Sequence, residues 1–181
     1  MTLRRAASIV LLAGLTAMAG QAAYRVWETP RTIMARMERA VAGAAEGYNR
    51  CFHRRSLALR PGGIRRPNPD VLPTTVAYDL SAGALHLTGP VWEPYWSLSV
   101  YAHNSDNIFV INDRELESGR FDVLISAAPA TTGSGTVNVV SPSTTGLVVI
   151  RRLAADTTML PALHRNQDRM ACRVIPQGAE A

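Results

Sequence analysis

Apolar and polar residues alternate through the middle of the chain with the two-residue period of β-strands. In Trp96-Ser97-Leu98-Ser99-Val100-Tyr101, the residues Trp96, Leu98 and Val100 form one side and Ser97 and Ser99 a small polar side. That is the pattern of a half-buried strand. The same reading predicts strands over 72–80, 84–88, 95–102, 108–112, 121–126, 137–141 and 146–152. Turn clusters separate them: Ser81-Ala82-Gly83, residues 103–106, Glu117-Ser118-Gly119, and residues 131–135 and 142–145. Short polar side chains there can bond their own backbone. Leu147-Val148-Val149-Ile150 and residues 108–111 are apolar on both sides, and the first of these should be a central strand. Asp156 reads as a helix cap and 157–170 as one terminal helix with Pro161 near its start. The fold class is therefore mainly β, an antiparallel sandwich or barrel.

Helical patterning precedes the strands. Arg4 and Arg5 lead into an uncharged run, 6–23, followed by Tyr24, Arg25 and Trp27. Two readings stand. One is a cleaved secretory signal with Ala17-Met18-Ala19 as the processing site. The other is an uncleaved anchor, since eighteen helical residues span about 27 Å against a hydrocarbon core of about 30 Å. Gly14, Gly20, Gln21 and the arginines after the segment weaken the anchor. Leu3 and Ala7 stand where a twin-arginine signal wants other residue types. From Pro30 a second, amphipathic helix is expected, with Ile33, Met34, Met37 and Val41 as its apolar stripe and Gly47 as its stop. Arginines from Arg50 to Arg66, with no acid among them, then read as a solvated linker or as a basic strip near anionic headgroups. The expected division is a signal or membrane anchor at 1–24, a helical tether and basic linker at 25–66, a β domain at 67–175 and a disordered tail at 176–181.

Charge sharpens this division. Residues 1–66 carry twelve Arg against Glu28, Glu38 and Glu46, whereas 67–181 carry seven Arg against eleven acids. There is no Lys. The basic excess lies in leader and tether while the β region is mildly acidic, which argues against nucleic acid as a partner. Export is expected, to the inner membrane facing the periplasm, or to the periplasm itself if the leader is removed. Cys51 and Cys172 are the only cysteines, and in an oxidising compartment they are expected to bond, the alternative being two buried thiols.

Reaction chemistry is sparse. His53, His86, His103 and His164 form no H-x-H or H-x-x-x-H pair, so no metal is expected, and His86 reads as a solvent-side strand residue. No G-x-S-x-G, Walker or Rossmann fingerprint is present, so no cofactor and no catalytic residue is assigned. Asp70, Asp79, Asp106 and Asp113 suit turns and caps better than acid–base work. Asp70, Tyr78, Tyr95, Tyr101, Asp106 and Asn107 fall at expected strand ends and hairpin turns, and are predicted to gather at one rim as a ligand site.

Arg66-Pro67-Asn68-Pro69-Asp70, Tyr78-Asp79-Leu80, Tyr95-Trp96-Ser97, the stretch 104–113, and Ser141-Pro142-Ser143 followed by 148–152 occur in the order found in a bacterial family. On these motifs, over about 47–175, the chain resembles the domain of unknown function 1254 family. The resemblance implies a jelly-roll-like β-sandwich in an exported or envelope protein, with no assigned reaction. Many members continue into a second β domain, and a separate chain carrying such a domain is the expected partner. The resulting expectation is an envelope-tethered binding or assembly module with an unknown ligand. An envelope enzyme acting on a carbohydrate or lipid-derived substrate is the alternative, and a purely structural component the third.

Overall fold

A computed structural model describes residues 3–57, 68–116, 119–131 and 133–176, with side chains in the first helix described over 8–25 and from 32 onward. The Arg4-Arg5 pair, Trp27, Arg60 to Arg66, Glu117-Ser118 and the tail beyond Pro176 lie outside the described side chains. The elements are α1 (Leu3–Ala44), β1 (Phe52–His53), β2 (Val71–Asp79), β3 (Gly83–Pro90), β4 (Trp96–Ala102), β5 (Asn107–Asn112), β6 (Arg120–Ser126), β7 (Val137–Val140) and β8 (Thr145–Leu153). A single 3₁₀ turn (Thr157–Met159), α2 (Leu160–Asp168) and β9 (Ala171–Pro176) follow. Over the described residues the protein is mainly β, with two sheets and three helical elements. One sheet has the order β1-β2-β8-β4-β5 and the other β7-β6-β3-β9.

The alternating residues build one core between the sheets. Val76 and Tyr78 of β2, Trp96, Leu98 and Val100 of β4, and Val148 and Ile150 of β8 meet Leu85, Leu87, Phe121, Val123, Ile125 and Val139 from the other sheet. Each fully buried aliphatic side chain contributes about 1.5–3 kcal/mol. Leu147–Ile150 does lie in the centre of its sheet, paired with β2 and β4. All seven predicted strands form within two residues of their expected limits.

Four expectations need correction. Ser97 and Ser99 are buried, so β4 is covered on both faces; Ser99 Oγ accepts from Arg151 across the sheet. Strand β5 is an edge, and its Val110 is exposed. Strand β7 runs parallel to β6, so the connection 127–136 crosses over and is not a tight hairpin. Part of the expected linker is a strand: β1 pairs with β2, and the terminal segment from Ala171 adds β9 to the second sheet.

The leader and tether are one helix. Backbone helix runs through Pro30, where a start was expected. Its end follows from backbone geometry. Glu46 is left-handed (φ 59°) and Gly47 follows at φ 145°, with Gly47 N–H donating to Ala42 O at 2.8 Å. That is the wrap that satisfies the last carbonyls of a helix. The face docked on the sheet is Met34, Glu38 and Ala42, one residue every helical turn, packed with Val41 against Ala77, Leu147 and Tyr101. Ile33 and Met37 of the expected stripe are exposed instead. Among the described residues no helix is long and apolar enough to cross a membrane.

The cysteines are bonded. Cys51 and Cys172 have Cα atoms 5.8 Å apart, inside the range a disulfide requires. Cys51 precedes β1, at one margin of the first sheet, and Cys172 lies in β9, at one margin of the second. The bond therefore closes that side of the core. The other side carries the free margins of β5 and β7.

Candidate functional site

The six residues expected at one rim divide between the two ends of the first sheet. Asp70 lies just before β2 and Tyr95 just before β4, and both are exposed. Their backbone carbonyls accept from Ala154 and Leu153 at the end of β8. Tyr78, Tyr101, Asp106 and Asn107 lie at the opposite end, where Tyr78 and Tyr101 each pair with β8 at Gly146 and Leu147. Eight residues of strand, roughly 26 Å, separate Asp70 from Tyr78.

Most of the six have structural work. The Asp70 amide donates to Asn68 Oδ1. Asp106 accepts from the Asn104 amide, and the Asp106 backbone N–H donates to Asn104 Oδ1. Asn107, its amide nitrogen turned toward them, donates to the carbonyls of Phe109 and Val100 beside the register shift between Val100 and Tyr101. This is how a bulge is held. Asp79 accepts from the amide and hydroxyl of Ser81, as a turn residue does. His86 is half-buried and paired with Asp122 at 2.8 Å. Among the described residues no group of three or more His, Cys, Asp or Glu is arranged to hold a metal ion.

Two polar clusters do form. At the Tyr78 end, the buried phenol shares hydrogen bonds with Ser141 Oγ at 2.9 Å and the Tyr101 carbonyl at 3.1 Å. Burial pushes its pKa up, against the lowering effect of the Ser141 and Ser143 hydroxyls. Ser141 donates to the Ser143 carbonyl, Ser143 Oγ accepts from the His103 amide, and His103 Nδ1 lies 3.0 Å from Glu38 Oε1 and 3.2 Å from Thr145 Oγ1. A carboxylate only accepts, so Nδ1 donates to Glu38. The chain of bonds thus connects the Ser141-Pro142-Ser143 motif to the helix lying on the sheet. Replacing Glu38 with Ala should release α1: amide exchange over 34–45 should quicken roughly ten- to hundredfold while β8 is unchanged, from the loss of about 1–3 kcal/mol. Glu38→Gln, which still accepts, should behave nearly as the native protein. Equal exchange in all three would show that Met34 and Ala42 alone hold the helix.

At the other end sit Arg152, Thr74, Gln167 and His53. Arg152 and Gln167 are fully buried, and Arg152 has Trp96 and Leu72 as its cross-strand neighbours. Its Nη1 donates to Thr74 Oγ1 at 3.3 Å and its Nη2 meets the Met170 sulfur at 2.9 Å. Gln167 Nε2 also reaches Thr74 Oγ1, at 3.3 Å, and His53 Nδ1 lies 3.0 Å from the same oxygen. A hydroxyl that accepts twice has its proton for the third partner, so Thr74 donates to an unprotonated His53 Nδ1. Burial, followed by the charges of Arg55 and Arg152, lowers the His53 pKa to about 4. Burial also pulls Arg152 down to about 10. At the edge of this cluster Arg55 donates to Gln167 Oε1 at 3.3 Å and to Asp168 at 2.5 Å, tying the segment after β1 to α2.

The His53 shift makes a pH prediction. The unfolded chain takes up the proton near pH 6.5 and the folded one only near pH 4. The stability contributed by neutral His53 is therefore complete above pH 6.5 and lost as pH falls toward 4. Denaturant titrations of native protein and His53→Asn between pH 7 and 4 should show the steeper loss in the native protein. Parallel curves would remove His53 from the account.

Sequence reading overlooked this second cluster, although the parity of β8 contains it. Val148, Ile150 and Arg152 share a face, so a strand whose apolar residues point inward takes Arg152 inward too.

Together these features define a class: a two-sheet β domain, closed at one side by a disulfide and clasped on an outer face by its N-terminal helix. The chain belongs to the family described as Protein of unknown function (DUF1254), whose model matches residues 48–174. Two solved structures are similar to it. One, from Vibrio parahaemolyticus, is 15% identical with a TM-score of 0.55, over 60% of this chain and 29% of that one. The other, an uncharacterised protein from Burkholderia cenocepacia, is 18% identical with a TM-score of 0.45, over 76% of this chain and 38% of that one. The chain thus spans well under half the length of either. No curated protein matches it.

Proposed function

We propose that the protein is an envelope-tethered β-sandwich module of jelly-roll type that works by binding or assembly, with a companion β domain on a separate chain. The observation that carries the tether is α1. Its second half is held on the sheet by Met34, Glu38 and Ala42, while its first half bears Ile9, Val10, Leu11, Leu12, Leu15 and Met18, all more than half exposed. A contiguous apolar surface of this kind needs a cover. On this reading the first half of α1 is either held in the inner membrane or removed on export, and the domain faces the periplasm. The companion is favoured by the free margins of β5 and β7, which carry exposed Val110, Val137 and Val140. Unpaired margins of this kind are open to association. Neither polar cluster pairs two carboxylates among its described residues, the arrangement that would support the enzymatic alternative.

Fractionation of the native cells tests the tether. The expected outcome is protein in the membrane pellet, or periplasmic protein whose N-terminus is Gly20; full-length protein in the cytosol would refute it. In-cell crosslinking from positions 110 and 137, followed by mass spectrometry, tests the companion. A reproducible β-domain partner is expected, and crosslinks only within the chain would count against it.

A further inference from the structure

The contacts of α1 fix the direction in which it leaves the domain. Ala77, Leu147 and Tyr101 are cross-strand neighbours, so they form one row over β2, β8 and β4, and α1 lies on that row. The C-terminal end of the helix is at β2. Asn49, just beyond it, donates its backbone N–H to the Ala77 carbonyl and its side-chain amide to the Asp79 carbonyl. Further back, Glu38 meets His103, the residue after β4. From Met34 to Ala42 a helix advances about 12 Å, and the row spans two strand spacings, about 10 Å. The helix therefore crosses the strands nearly at right angles. Followed toward its N-terminus it passes from β2 to β4, and the next residue of the row is Asn107 of β5, opposite Tyr101. One more spacing of about 5 Å takes it over β5, so it clears the sheet about three residues before Met34. From Ser8 to Arg25 every side chain is exposed, and that stretch stands clear of the domain.

We propose that α1 is a rod that sets the domain on edge above the bilayer. The open side, β5 and β7, is turned toward the lipid, and the disulfide side, β1 and β9, away from it. This inference rests on the tether reading, with the apolar first half of α1 held in the membrane. A helix that enters the bilayer steeply carries the strand-to-strand direction of the sheet with it, so the strands run along the membrane surface. Tyr24, 63% exposed, falls at the end of the uncharged run, where interfacial aromatic residues sit. From Ala23 to the margin of β5 the rod rises about 12 Å, just above the headgroup layer. Strands β1 and β9 lie about 14–19 Å further out. Asp106, Asp113 and Glu115 flank β5 against Arg114 alone, which suits a margin that stands off anionic lipid and does not sink into it. The geometry also narrows the companion. A domain about 30 Å across cannot enter a gap of about 12 Å. The partner that can reach Val110 and Val140 on the free margins comes from the side and is itself held at the membrane surface.

The test is reconstitution of the full chain, its disulfide intact, into lipid vesicles. A dye is attached to a cysteine introduced at one exposed position at a time: Val110→Cys, Val140→Cys and Pro176→Cys. Lipids carrying a nitroxide on the headgroup quench dyes at close range. Quenching at 110 and 140 should be at least about threefold stronger than at 176, since the two sides differ in height by about 14–19 Å. A Gly-Ser-Gly-Ser insertion after Trp27 replaces the rod by a flexible link. That protein should still float with the vesicles, while quenching at the three positions converges. Equal or reversed quenching in protein that floats would overturn the orientation and leave the tether standing. An ordering untouched by the insertion would also overturn it, since the rod would then not be its cause. Protein that stays off the vesicles would refute the tether itself, and this orientation with it.

Discussion

Removing the disulfide should lower the melting temperature by about 10–15 °C. The bond joins residues 121 apart in sequence, so cutting it restores to the unfolded chain a loop entropy of about 4–5 kcal/mol in the chain-entropy description. For a chain of this size each kcal/mol moves the melting point by about 2–4 °C. A loss that large is a substantial share of the whole stability of an ordinary domain. Location adds a second expectation. Cys51 adjoins a two-residue strand, and Cys172 lies in an edge strand paired on one side only, with β3. In the Cys51→Ser/Cys172→Ser double variant, β1 and β9 should lose amide protection first while β8 and β4 hold. Calorimetry and hydrogen exchange, with and without reductant on the native chain, measure both effects. A shift below about 2 °C, with β9 still protected, would show that the Gly83 and Leu85 pairings secure β9 unaided.

How far the fold was legible depended on which interactions fix each part. The predicted strands are local: alternation along Leu85-His86-Leu87 already says which face is buried, and the structure agrees, whereas from Trp96 to Val100 it finds the strand but not the cover over Ser97 and Ser99. Strands β1 and β9 are non-local. Phe52-His53 is too short to show a period, and Ala171–Pro176 has no buried residue; their places come from the disulfide and from backbone pairing with β2 and β3. The parallel run of β7 beside β6 was hidden for the same reason, since a polar connection states that the chain turns and not which way it returns. The expected site failed on distance. Strands β2 and β4 each have two ends, and the six residues fall at both. The clusters that do form break the rule used to find elements. Glu38 occupies the apolar stripe of α1 and Arg152 the apolar face of β8, each a polar residue in a series of buried positions. Where a strong local pattern contains such an exception, the exception is the better place to look for a role.

Gly146→Ala should cost about 3–5 kcal/mol, although it adds a single methyl group to a strand. The reason is position. Gly146 lies in β8 between Tyr78 of β2 and Ala102 of β4, and an ideal Cβ there would overlap the Tyr101 carbonyl oxygen and the Tyr78 phenol. Neither can yield cheaply. The carbonyl belongs to backbone in the middle of a sheet, and the phenol is fully buried and bonded to Ser141 and Tyr101. Overpacking of a core costs about 1–3 kcal/mol, and stranding the buried hydroxyl of Ser141 or Tyr78 adds about 1–3 more. A cycle with Tyr78→Phe separates the two contributions. Removing the phenolic oxygen alone should cost about 1 kcal/mol. It also takes away one of the atoms the new methyl would strike, so the double variant should be more stable than the sum of the single losses, by about 1 kcal/mol or more. Denaturant unfolding of the four proteins supplies the cycle. Strict additivity would mean that the Tyr101 carbonyl is the whole obstacle, and that the hydrogen-bonded chain from Tyr78 toward His103 does not depend on the space Gly146 leaves open.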